Sequence, residues 1–128
     1  MEKSHFEQAK CWLVGAKHIA SLEKNNSDTY SVAVAMLIHA ILKANDTLTQ
    51  KFLEKTPQKH DDARKFFDEM IKKGLISATY SQYSQTIQEA VEDKRDAEYK
   101  ITYFSKSDYE DLERKAEKFI KMVEGIIK

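Results

Sequence analysis

An imidazole and a carboxylate stand two turns apart on one apolar helical stretch, residues 31–49, SVAVAMLIHAILKANDTLT. Seven positions on a 3.6-residue helix return to within about 20° of the start, so His39, Lys43 and Asp46 share one stripe. Leu37, Ile38, Ile41, Leu48 and Phe52 feed the core. His39 is then either a core histidine satisfied by a neighbouring hydroxyl or carbonyl, or a working group. Asp46 is either its partner or a solvent-facing carboxylate. A second polar line, Gln88, Glu92, Arg95 and Tyr99, recurs at 4-, 3- and 4-residue steps further on. That line is either a solvated face with pairs such as Asp96 and Lys100, or a guanidinium and a ring placed to grip and stack on a phosphate-bearing ligand. His60 opens a third helix beside Asp61 and Asp62, where carboxylates suit the helix dipole; a plain surface residue is the simpler role there.

Other chemistries are poorly served. Di-metal bundles need Glu-x-x-His on two helices and a Glu from each of two more. Glu2-Lys3-Ser4-His5 has that spacing once, at a fraying end, with no second copy. No metal and no cofactor is expected. Glycines at 15, 74 and 125 form neither a phosphate loop nor a dinucleotide fingerprint. Cys11 is a single cysteine, which permits no internal disulfide, fits a reducing cytosol, and is expected as a small buried thiol. Lys+Arg and Asp+Glu are both 21, a net charge of +0, which weighs against a general nucleic-acid binder. No DNA-specific signal is visible. The N-terminal residues lack a signal-peptide run, and the apolar stretch 32–42 is too short to span a bilayer. A cytoplasmic protein with no membrane association is expected.

The elements that must position these residues are helices. With 3 Gly and 1 Pro in 128 residues, the chain has little turn or strand punctuation. The first helix is predicted over residues 2–23, with Phe6, Ala9, Leu13, Ala16 and Ala20 inward and Trp12 and Ile19 widening the face. The second covers 28–55 and is the most buried. Pro57 marks the boundary to a third over 58–73, carrying Ala63, Phe66, Phe67, Met70 and Ile71 inside, with Gly74 as its left-handed terminator. A fourth covers 79–99 and buries Tyr80, Tyr83, Ile87 and Val91. Residues 101–104 read as an extended link, and Ser107 to Glu110 as a capping box for the fifth helix. Tyr109, Leu112, Ala116, Phe119, Ile120, Val123 and Ile127 form its stripe. The fold class predicted is all-α, one domain over 1–128: an antiparallel four-helix up-and-down bundle with an additional shorter helix.

In this arrangement the chain resembles the HEPN family, the "higher eukaryotes and prokaryotes nucleotide-binding" helical domains, in its stand-alone archaeal and bacterial form. The resemblance rests on His39-Ala40 followed by Asn45-Asp46 on an Ala-rich second helix, and on His60 opening the third. Arg95 with Tyr99 four residues on, and the aromatic link Tyr103-Phe104 into a Ser-capped last helix, complete it. It covers nearly the whole chain.

The resemblance implies a homodimer binding a nucleotide or RNA through His39, Asp46, His60, Arg95 and Tyr99, in a toxin–antitoxin, defence or RNA-processing setting. Two alternatives go with it: a divergent metal-independent ribonuclease, with His39, His60 and Arg95 as candidate catalytic residues, and a non-catalytic dimer that binds a protein such as a nucleotidyltransferase. Ribonuclease members carry Arg followed four to six residues later by His. Here the positions after Arg64 are Glu69, Met70 and Ile71; after Arg95, Lys100, Ile101 and Thr102; after Arg114, Phe119, Ile120 and Lys121. Metal-free RNA cleavage needs a group titrating near neutrality and a cation for the developing charge. Arg95 would supply the cation, and His39 or His60 the acid/base from another helix.

Overall fold

A computed structural model describes residues 2–22, 27–59, 61–99 and 104–128. Among these the chain is all-helical: α1 (Glu2–Leu22), α2 (Ser27–Leu53), α3 (Asp62–Lys72), α4 (Tyr83–Tyr99) and α5 (Lys106–Ile127), with a 3-10 turn at Ala78–Tyr80. The helical period expected from the apolar spacing is therefore the period found. α2 is the hub. Leu37, Ile41 and Leu48 are fully enclosed and Ile38 nearly so, each such side chain contributing about 1.5–3 kcal/mol of transfer free energy. α1 runs antiparallel to α2, with Trp12 against His39 and Gly15 against Met36. α5 runs parallel to α2, with Tyr30 against Tyr109. Phe67, Tyr83 and Phe119 bring α3, α4 and α5 into one tilted aromatic group, at centroid separations of 6.3 Å and 5.9 Å about Phe119.

Helix ends depart from expectation for local reasons. α3 starts at Asp62, not at residue 58; Asp61 precedes it without a side-chain cap, its carboxylate being engaged by Arg95. Before α4 the chain makes the 3-10 turn, whose cap is Ser77 accepting from the Thr79 amide, so the continuous helix begins at Tyr83. Tyr80 and Tyr83 are consequently half-buried, as are Phe66 and Ile71, while Ile87 and Val91 are buried. The cap of α5 is Ser105, not Ser107. Its Oγ accepts from the Asp108 amide at 3.1 Å, and the Asp108 carboxylate accepts from the Ser105 amide at 3.0 Å. An aspartate at the third helical position closes the box two residues earlier than the glutamate expected to do so.

Gly74 terminates α3 as expected, at φ +72°. Cys11, expected inside, is exposed, because its position on α1 turns away from α2. Of the predicted link over 101–104, Phe104 is described; its amide donates to the Ser31 Oγ at 3.2 Å, and residues 101–103 lie outside the described residues. Asp28–Leu53 of α2, with mean hydropathy 1.2, is long and apolar enough to cross a membrane, which the stretch 32–42 alone is not; 67% of its apolar window is buried inside the molecule.

Candidate functional site

The stripe of α2 that carries His39 faces α1. The imidazole stacks on the Trp12 indole, with centroids 4.7 Å apart and planes 24° from parallel. One turn on, the Lys43 ammonium acts on two groups. It helps to hold the His5 pKa below the ordinary imidazole value, burial being the larger cause. It also opposes the burial that pushes the Asp46 carboxyl up to about 6. The His5 Nδ1 is buried with no hydrogen-bond partner among the described residues. The seam therefore gathers His5, Trp12, His39 and Lys43, with the partly buried Asp46 three residues beyond Lys43 on α2.

A second neighbourhood forms where α3 begins. Asn45 is fully buried, and its amide donates to the Ala63 carbonyl at 3.2 Å. Its own carbonyl oxygen is buried without a donor among the described residues. Two residues before Ala63, the Asp61 carboxylate accepts from the Arg95 guanidinium at 2.7 Å. Arg95 is more than half exposed, at 57%, so this cation meets solvent with one edge anchored. Below it Ser84 donates to Asp68 at 2.6 Å and accepts from the Arg64 Nε at 2.9 Å, fixing α4 against α3. Thr47 and Thr49, buried on α2, return their hydroxyls to the carbonyls of Lys43 and Asp46 and are satisfied locally.

Of the residues predicted from sequence, His39 thus belongs to the α1–α2 seam, Asp46 lies further along α2, and Arg95 belongs to the head of α3. Tyr99 ends α4 and its side chain lies outside the described residues, as does His60. Part of the polar line on α4 closes on itself: Gln88 donates to Glu92 at 3.0 Å. Sequence reasoning missed Asn45 as a structural group, although its position four residues after Ile41 and three before Leu48 sets it on the apolar stripe. Asp61 as the Arg95 partner, 34 residues distant, carried no such signal.

A separate groove between α4 and α5, about 220 Å³, is lined by Glu89, Asp93, Asp108, Asp111 and Lys115. Lys115 donates to Glu89 at 2.8 Å and sits 3.1 Å from Asp111. Burial, and then the neighbouring Glu89, push the Asp93 carboxyl up to about 6. No group of three or more His, Cys, Asp or Glu that could hold a metal ion occurs among the described residues. The chain matches no protein-family model, no curated protein and no solved structure.

Proposed function

We propose that the chain is a HEPN-like helical protein, an antiparallel four-helix bundle with one shorter helix, that pairs as a homodimer and binds a nucleotide or RNA. The observation that supports this reading is the meeting of three of the sequence pieces at the head of α3. Asn45 of α2 holds the Ala63 carbonyl, and Arg95 of α4 holds Asp61, the residue next to His60. A solvent-facing guanidinium with one anchored edge suits a phosphate, which takes paired N–H bonds that an ammonium cannot reproduce. With a net charge of +0, affinity rests on a few placed contacts, and a charged hydrogen bond to phosphate contributes on the order of 1.5–3 kcal/mol.

The test is a thermal-shift and calorimetric screen against nucleotides and short RNAs, repeated with Arg95→Ala and Arg95→Lys. Loss of binding in the first and weakening in the second are expected, with helical circular dichroism unchanged. Equal affinity in wild type and Arg95→Ala would place the site elsewhere. Incubation with RNA in EDTA separates this binder from a metal-independent ribonuclease.

A further inference from the structure

α1 and α5 lie side by side but touch little, and the groove between them has about 490 Å³ of open volume. Lys17 pairs with Glu117 at one end, and Lys10 faces Glu124 at the other, so the two helices run antiparallel along it. Its walls carry five cations, Lys10, Lys17, Arg114, Lys118 and Lys121, against two carboxylates, Glu117 and Glu124. Three of these cations are paired, Lys10 with Glu7, Lys17 with Glu117 and Arg114 with Asp111. Lys118 and Lys121 have no ion-pair partner among the described residues. The floor is apolar: Leu13, Ile120 and Val14, the last 66% exposed.

We infer that this groove docks an acidic amphipathic helix from a partner protein. The eleven residues from Arg114 to Glu124 span about 15 Å, close to three helical turns. An aliphatic floor beside the unpaired ammonium groups of Lys118 and Lys121 on α5 matches a helix with one apolar stripe flanked by carboxylates. Nucleic acid is the poorer fit, because single strands are held by aromatic platforms beside the cations and no Phe, Tyr or Trp lines this groove. The inference is independent of the Arg95 site and survives its failure.

The probe is a fluorescein-labelled helical peptide of about 15 residues, with Leu at 3- and 4-residue steps and Glu on both flanks. Its anisotropy is followed against the whole protein. Saturable binding is expected, weakened at least about tenfold by Val14→Asp, by Lys118→Gln with Lys121→Gln, and by replacing the peptide's Leu with Gln. The three substituted side chains face solvent, and circular dichroism verifies that each variant folds. Absence of saturable binding, unchanged affinity in the variants, or equal binding of the Gln peptide would each overturn the proposal. So would displacement of the peptide by single-stranded oligouridine, which would assign the groove to nucleic acid. Self-association of the protein that is lost in the Val14→Asp variant and blocks the peptide would assign it to a second copy.

Discussion

The His39 imidazole lies flat against the indole of Trp12, 4.7 Å away, and Trp12 is the one tryptophan in the chain. The contact joins α1 to α2 at mid-length and gives the seam its own optical reporter. Stacked pairs of this kind contribute about 0.5–1.5 kcal/mol beyond the area they bury. His39→Ala is expected to lower stability by about 1 kcal/mol and to change Trp12 emission, whereas His39→Phe keeps the stack. Urea melts followed by fluorescence check both. A catalytic His39 would instead show loss of activity in His39→Phe with stability retained.

Asp46 and Asp93 make stability depend on pH. Burial raises each carboxyl from an ordinary 3.8 to about 6 in the folded chain. Between those values the folded state binds more protons than the unfolded one, so stability falls as pH rises through this window. Asp46→Asn removes its part of the loss. After allowance for partial solvent access, the variant is expected to be more stable at pH 7 by about 1 kcal/mol, and its advantage vanishes by pH 4. Thermal melts from pH 4 to 7 measure the slope; an unchanged slope in the double variant with Asp93→Asn would exclude both groups.

Asn45 is expected to be intolerant. Asn45→Ala removes the side-chain donor that ties α2 to the Ala63 carbonyl and opens space in the core; the two effects together cost about 2 kcal/mol. Asn45→Asp costs more, since a carboxylate would face that carbonyl. Equilibrium unfolding gives the order wild type, Ala, Asp.

Ser105 and Ser107 separate two frames for the start of α5. Ser105→Ala removes the cap and should cost about 1 kcal/mol, while Ser107→Ala should cost a few tenths at most. Equal effects would mean that the capping box is not formed in solution.

Gly15 and Gly74 should respond with opposite signs. A methyl group at Gly15 would meet only the tip of the flexible Met36 side chain, which can move. Gly15→Ala is therefore expected to be neutral or stabilising by up to about 1 kcal/mol. At Gly74, φ +72° makes any side chain strained, and Gly74→Ala should cost about 1 kcal/mol. Paired denaturant curves decide both.

The stripes of α2 and α5 were legible because burial is repeated every third or fourth residue, so one exception among Tyr109, Leu112, Ala116, Phe119 and Val123 would not hide the pattern. Ends were less so. Ser105 and Ser107 both precede an acidic residue three places on, so the sequence offers two equivalent frames for the cap. Cys11 shows the limit of residue-type preference, as a small thiol is exposed or buried according to which way one helix turns. The Arg95–Asp61 pair joins residues from different helices, and only the packing of α3 on α4 brings them together. Asn45 was missed although its place on the apolar stripe of α2 was a signal for it.

The acidic groove beside Asp93 and the basic groove beside Lys118 open on different sides of α5. A molecule whose charges sum to +0 has almost no monopole, so unlike local patches govern how copies meet. Near its isoelectric point of about 6.9, long-range repulsion between copies vanishes while attraction between unlike patches persists. Such a protein is least soluble in dilute buffer at neutral pH, and modest salt, by screening the attraction over about 10 Å at 0.1 M, should dissolve it. Colloidal behaviour of this kind, salting-in at pH 7, follows from where the charges sit, whatever the chain binds.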